Sequence, residues 1–337
     1  MTDDPLLRLD GLGRRFGEVV AVEALSFEVR RGELFGLVGP DGAGKTTTLR
    51  LLAGVLRPTA GDALVGGVSV ARDPERVKRG LAYMSQRFGL YTDLTVRENL
   101  GFYAELYEVP RRELSARLER LFAFSGLAPF AERLAGQLSG GMKQKLGLSC
   151  ALVHEPELLL LDEPTFGVDP VSRRELWRIV HERVAEGVTA VVSTSYLDEA
   201  ERFDRVALLD RGRLLALDTP DALQRSLPGR MLEVWVEDPR RAREALLASG
   251  LVRRATAYGE RLHALVPPPA QGAAEGALPV ATEAVTAALA AAGIEARSVS
   301  PVPQSLEDVF IHLVENAGGG EGPRAPARAT AGPSELS

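Results

Sequence analysis

The sequence holds a single cysteine, Cys150, so no disulfide can form within the chain and its cysteine usage suits a reducing compartment. It has no run of the roughly 18–20 apolar residues that a membrane-spanning helix requires. Its first residues, MTDDPLLRLD, are acidic and lack the apolar core of a secretory signal. An excess of positive charge is also missing. With 40 Lys and Arg against 46 Asp and Glu, the formal net charge is −6, and the basic balance expected of a nucleic-acid binder is absent. The 337 residues are otherwise ordinary for a soluble globular protein, 45% hydrophobic and 26% charged, and suffice for one full domain and a smaller one. Any membrane role must therefore run through a partner.

The chain divides into three zones, without an internal repeat. Residues 1–228 alternate apolar strand-like runs with helical patterns, the mark of an α/β domain with a largely parallel sheet. Near its start, Leu6–Leu9, Val19–Val22 and Leu25–Val29 read as short strands and predict an antiparallel flank. After a turn at Leu227–Gly229, residues 229–316 read as a small α+β domain. Its strands are Met231–Val236, Arg261–Val266 and Ala296–Val299, and its helices Arg240–Ser249, Thr282–Ala292 and Leu306–Val314. The stretch PPPAQGAAEGALP at 267–279 reads as a flexible insertion, and residues 317–337, rich in Gly, Ala and Pro, as a disordered tail.

Three motifs in the first zone carry chemistry. The apolar run 33–38 leads into Gly39-Pro-Asp41-Gly42-Ala43-Gly44-Lys45-Thr46, followed by a helix opening at Thr47. This is G-x-x-x-x-G-K-[ST] in a strand–loop–helix context, where glycines let backbone N–H groups converge on phosphate oxygens and the helix N-terminus adds a favourable dipole. Lys45 reaches the outer phosphates and the Thr46 hydroxyl can bind Mg²⁺. Leu158–Leu161 suits a strand buried on both faces and ends in Asp162-Glu163, where ligands bind in open α/β sheets. There Asp162 would hold Mg²⁺ and Glu163 would orient and deprotonate a water. The third motif, Ser139-Gly140-Gly141, opens a helix running through Val153, with Ser139 as N-cap and two glycines exposing N–H groups to an anion. Alone, it is no more than a cap.

Taken together, Gly39–Thr46, Leu138-Ser139-Gly140-Gly141 and Leu158–Glu163 resemble the nucleotide-binding domain of ABC ATPases over residues 6 to about 225. The resemblance implies a P-loop NTPase fold with a parallel core sheet, an antiparallel β subdomain and a helical subdomain, here with the small accessory domain appended. It implies ATP and Mg²⁺ as cofactors and two domains meeting head to tail, each ATP held between one phosphate loop and the partner's signature helix. Phe16 matches the aromatic stacked on adenine, although a core role fits a phenylalanine there equally well. Gln86 matches the glutamine that senses Mg²⁺ and faces the transmembrane partner, and Gly167–Asp169 matches the loop at the dimer seam. The segments FGLYTDLTVRENLGFYAEL, DPVSRRELW and PQSLEDVFIHLVE are most similar to the ATPase subunits of ABC-2-type drug exporters. That similarity implies a separate ABC-2-type permease and a place on the cytoplasmic face of the cell membrane.

The sequence departs from that family once. Aligned on Tyr196–Ala200, Ser195 stands where the family has a histidine that contacts the γ-phosphate, and none of His154, His181, His263 and His312 is placed to replace it. His154 and His181 read as solvated surface residues. A missing preorganised donor can cost about 10²–10³ in rate, so slow hydrolysis at this chain's own site is expected. Two arrangements stay open: an asymmetric pair with a histidine-bearing ATPase, in which this chain is a catalytically weak ATP-binding subunit, and a homodimer that tolerates Ser195. Soluble ABC proteins of ribosomes or DNA fit poorly, since the chain has one ATPase domain, no basic patch and no coiled-coil insertion.

Overall fold

The computed structural model describes residues 4–86, 89–267 and 277–317. The chain starts with two long strands, β1 (Leu7–Phe16) and β2 (Val19–Val29), and then a buried strand β3 (Leu34–Val38) feeding helix α1 (Lys45–Leu52). A hairpin of β4 (Ala60–Val65) and β5 (Val68–Ser69) precedes α2 (Pro74–Arg79) and β6 (Leu81–Met84). Three helices follow: α3 (Val96–Leu106), α4 (Arg111–Ser125) and α5 (Gly140–Leu152). Next come β7 (Leu158–Asp162), α6 (Pro170–Ala185), β8 (Thr189–Thr194), a 3₁₀ turn at Leu197–Arg202, β9 (Arg205–Asp210), β10 (Arg213–Asp218) and α7 (Pro220–Ser226). The remainder is β11 (Arg230–Val236), α8 (Pro239–Ala248), β12 (Arg254–Tyr258), β13 (Arg261–Val266), α9 (Ala277–Ala291), β14 (Ala296–Val302) and α10 (Leu306–Ala317).

The central sheet has the order β10-β9-β3-β8-β7-β6, parallel from β9 to β6 with β10 antiparallel at its edge. Leu158–Leu161 lies in it as expected. Leu159 and Leu161 enter the core shared with α3–α6, and Leu158 and Leu160 the core shared with α1 and β1–β2, because strand side chains alternate between faces. Gly36 in β3 gives room to Phe203; a Cβ there would overlap the phenyl ring.

The antiparallel flank is a sheet of order β2-β1-β4-β5. It corrects the three short strands expected from the sequence: the first runs on to Phe16, and the other two are one strand. Ala24 takes a positive φ of 48°, and the pairing with β1 slips between Leu12 and Arg15, so a bulge absorbs the break in alternation that reads as a turn.

The C-terminal unit runs β11-α8-β12-β13-α9-β14 with sheet order β12-β13-β11-β14, the split β-α-β pattern of ferredoxin-like domains. The expected order of three strands and three helices misses β12, whose RATAY sequence lacks large aliphatic residues. Helix α9 also begins earlier than expected. Residues 277–279 of the supposed insertion are its first turn, where Pro279 needs no hydrogen-bonded N–H; residues 268–276 lie outside the described residues. The same is true of the expected tail, except Ala317, which closes α10. Although contiguous with the small unit, α10 packs on the first domain. Leu306 and Val309 join Leu223 and Leu227 in one core.

Candidate functional site

The phosphate-type loop rises from the end of β3 and closes on α1. A Cβ on Gly39 would overlap the Leu209 carbonyl oxygen, so β9 admits only glycine there. Gly44 has φ 97°, and a Cβ on it would lie 2.6 Å from the Ala21 carbonyl oxygen. The loop borders a cavity of about 520 Å³ lined by Phe16, Val19–Ala21, Asp41–Thr47, Gln86 and Glu163, a volume within the usual small-ligand range. The structure thus gathers Phe16, Asp41, Gly42, Ala43, Gly44, Lys45, Thr46, Thr47, Gln86 and Glu163 around one space. Phe16 is 44% exposed, so it is not a core residue, and the Arg14 guanidinium lies 4.5 Å from its ring centroid.

Two buried carboxylates lie at the base of the cavity, Glu163 in its lining and Asp162 behind Thr46. Asp162 is 1% exposed. Its Oδ1 accepts from the hydroxyls of Thr46 (2.9 Å) and Ser193 (2.7 Å), and its Oδ2 from Tyr83 (3.3 Å). All three partners are hydroxyls, and among the described residues it has no cationic one. A buried carboxylate without a counter-charge, 2.9 Å from a threonine hydroxyl, fits a hard cation that shares its remaining sites with phosphate and water. Burial, then the Asp162 charge, push the Tyr83 phenol up to about 12.

Glu163 has φ 48°, a left-handed backbone rare for a non-glycine residue and costly unless its surroundings enforce it. Its amide donates to the Ser193 hydroxyl (3.0 Å) and its carboxylate is fully engaged. Oε1 faces the Lys45 ammonium at 3.1 Å and accepts from Ser195 at 2.6 Å, and Oε2 accepts from Gln86 at 3.4 Å. Lys45 also donates to the carbonyls of Gly39 (2.7 Å) and Pro40 (3.1 Å), and to Ser195 Oγ at 3.4 Å. Ser195 Oγ lies 3.4 Å from Asp41 Oδ1 as well.

The signature residues lie elsewhere. Ser139, Gly140 and Gly141 do not line the cavity. Ser139 caps α5 by accepting from the Met142 amide at 3.3 Å, and both Ser139 and Gly140 are exposed. Gly141 is buried against Ser172, which a Cβ would overlap. Asp169 caps α6, accepting from the amides of Val171 and Ser172; the hydrogen bonds of Ser172 lower its carboxyl below the usual range. Phe166 and Val171, on either side, are 55% and 57% exposed.

Of the histidines read as solvated, His181 is exposed but His154 is not. Its ring stacks on Tyr107 with centroids 3.8 Å apart and its Nε2 lies 3.2 Å from the Leu81 carbonyl, so burial lowers its pKa. Tyr107, 47 positions upstream at the C-terminal end of α3, is a stacking partner that is not visible in the local sequence. Sequence reasoning also missed Tyr83 and Ser193. Ser193 had a signal: it is a polar residue near the end of the strand that leads to Ser195.

The family model described as ABC transporter matches residues 22–166. The chain is 51% identical over 230 residues to the "Probable multidrug ABC transporter ATP-binding protein YbhF" of Escherichia coli (strain K12), covering 68% of this chain but 40% of that protein. It is 35% identical over 311 residues to the daunorubicin resistance ATP-binding protein DrrA3 of Streptomyces coeruleorubidus, covering 92% of this chain and 96% of that one. A solved structure of the ATP binding subunit of an ABC transporter superposes with a TM-score of 0.61 at 34% identity, over 66% of this chain and 92% of the other. With its phosphate loop, buried acidic pair and separate signature helix, the chain belongs to the ATP-binding proteins of the ABC transporter family.

Proposed function

We propose that the chain is the ATP-hydrolysing subunit of an exporter, working on the cytoplasmic face of the membrane with a separate ABC-2-type permease. The observation that carries this reading is the single cavity bounded by Phe16, the Gly42–Thr46 loop, Gln86 and Glu163, with the Thr46–Asp162 pair beneath it. Phe16 presents a half-open ring to a base. The loop and Lys45 face the phosphates. Thr46, Asp162 and Gln86 would hold Mg²⁺, which when bound neutralises phosphate charge. Glu163 takes the proton of the attacking water, and its constrained backbone aims the carboxylate into the cavity.

No helix among the described residues is long and apolar enough to cross a membrane. The segment after Gln86 offers a permease a landing place. Tyr91 (45% exposed) packs edge-on against Phe102 (37%), and Leu106 is 60% exposed on the same helix, α3. The exposed start of the signature helix, Ser139 and Gly140, away from this chain's own cavity, supports pairing with a second ATP-binding domain whose nucleotide it covers. The similarity to DrrA3, named for daunorubicin resistance, supports export as the direction.

A second reading is favoured by Ser195. A serine bonded to Glu163 supplies no imidazole at the γ-phosphate, which suits a weak site in an asymmetric heterodimer whose partner bears the histidine. Copurification from membranes, followed by Mg-ATP turnover of the recovered complex and of its Lys45→Ala version, tests both. The proposal expects a copurifying integral-membrane protein and turnover that Lys45→Ala abolishes. A second ATPase in the complex selects the heterodimer; in a complex without one, turnover insensitive to Lys45→Ala removes the reading altogether.

A further inference from the structure

Behind the cavity lies a carboxylate that plays no part in the reading above. Glu199, in the 3₁₀ turn after β8, is 1% exposed. Its Oε2 accepts from Thr165 Oγ1 at 3.0 Å and Thr194 Oγ1 at 2.8 Å, and its Oε1 from Trp177 Nε1 at 3.2 Å. Arg173 brings its Nε to 3.8 Å from Oε1 and lays its guanidinium over the Tyr196 ring, 4.9 Å from the centroid. Thr165, Thr194 and Trp177 are each 1% exposed, so water does not compete for these contacts.

The four partners come from three structural elements. Thr165 belongs to the turn that follows Glu163, held by the Phe166 amide bonding to the Glu163 carbonyl and the Val168 amide to that of Thr165. Thr194 immediately precedes Ser195; its hydroxyl also accepts from the Tyr196 amide at 3.0 Å and its carbonyl from the Gly39 amide at 3.3 Å. Trp177 and Arg173 lie on α6, whose first turn carries Ser172 against Gly141.

We infer that Glu199 is a positioning residue that braces the Glu163 turn and the Ser195 turn against each other, and both against α6. The inference rests on the ATPase reading for its catalytic consequence but not for its geometry. A buried anion accepting from three fixed donors tolerates little movement of any of them. The 2.6 Å contact between Ser195 and Glu163 joins the same two turns from the cavity side. Because α6 also abuts the signature helix, the brace links the face offered to a partner's nucleotide with the groups around this chain's own.

The full-length chain tests this in two ways. Peptide-resolved hydrogen exchange should show Glu199→Gln opening peptides 163–168 and 193–199 together, each by about tenfold or more, with β7 and β9 unchanged. Loosening of only one turn, or of the whole domain, overturns the inference. In Mg-ATP turnover, Glu199→Gln should lower kcat about tenfold with KM changed less than about threefold, and should add less than about twofold once Ser195→Ala is present. Equal losses in both backgrounds overturn it. If Glu199→Gln does not fold, Thr165→Val, which removes one arm, is read by the same measurements. A wild-type chain without turnover, even with its permease, would sink the ATPase reading while leaving the exchange result to decide the brace.

Discussion

The Ser195 hydroxyl donates to Oε1 of Glu163 at 2.6 Å, the same oxygen that the Lys45 ammonium faces at 3.1 Å. Serine adds no group long enough to reach past Glu163 to a γ-phosphate. Ser195→His should raise kcat roughly tenfold while leaving the ATP dissociation constant within a factor of about two. Steady-state turnover and calorimetry on the same preparation check this. An unchanged kcat in a folded variant would favour the tolerant homodimer.

Glu163→Gln keeps the shape of the site and removes the base. Bound ATP then cannot be consumed, and the head-to-tail dimer should persist. Size-exclusion chromatography in Mg-ATP should show a stable dimer for the variant, alone or with its partner ATPase, where wild type elutes as monomer. A variant that stays monomeric under all these conditions contradicts the sandwich arrangement.

Gly36→Ala tests the packing beneath the loop. The new methyl would overlap the Phe203 ring in the middle of β3, a strand paired on both edges with β8 and β9. Overpacking of this kind costs about 2 kcal/mol. A lower denaturation midpoint at constant m-value is the expected result; a midpoint equal to wild type means that Phe203 moves freely aside.

His263 makes the small unit sensitive to pH. Its Nδ1 lies 3.7 Å from Asp308 Oδ2 on α10 and its Nε2 3.6 Å from Glu233 Oε2 on β11. The Asp308 carboxylate raises its pKa above 6.5, against the opposing effect of burial. Burial alone would raise Asp308, but His263 and Ser305 outweigh it and leave it lowered, hence charged wherever His263 titrates. A histidine with a raised folded-state pKa stabilises fully below its unfolded value, and that contribution is lost as pH climbs through the folded value. The melting temperature of wild type should therefore exceed that of His263→Gln by more at about pH 5.5 than at about pH 8.5. A constant gap would show that the ion pair contributes nothing.

The sequence made the cavity legible because its determinants are contiguous. A strand, a glycine-rich turn and a helix sit within residues 33–52, and the buried acids end an unbroken apolar run. What stayed hidden depends on residues far apart in the chain. Tyr83 reaches Asp162 across 79 positions and Glu199 reaches Thr165 across 34, and no local pattern marks such pairs. β12 was missed for a different reason. Its Arg, Ala and Thr residues pair through backbone with β13, and an edge strand needs little apolar content to do so. Helix α10 was seen as a helix, but an apolar stripe does not say which neighbour will cover it.

That helix has a consequence for how the molecule can be cut and rebuilt. Gln304 Nε2 donates to the carbonyls of Leu227 (3.1 Å) and Gly229 (2.9 Å), so the chain leaves the first domain and comes back to it at nearly the same spot. The segment between is an excursion that stays attached, since Met231 and Leu265 lie in the same core as Leu306 and Val309 and Arg254 donates to the Asp308 carbonyl at 2.8 Å. Ending the chain after Pro228 would strip a wall from the ATP-binding body along with the ferredoxin-like unit. Excising 230–303 and bridging the gap with a short glycine-serine splice would keep the helix but remove Met231, Leu265 and Arg254, which hold it from the other side. A different insert at the same doorway would therefore have to supply its own apolar and hydrogen-bonding partners for the last helix.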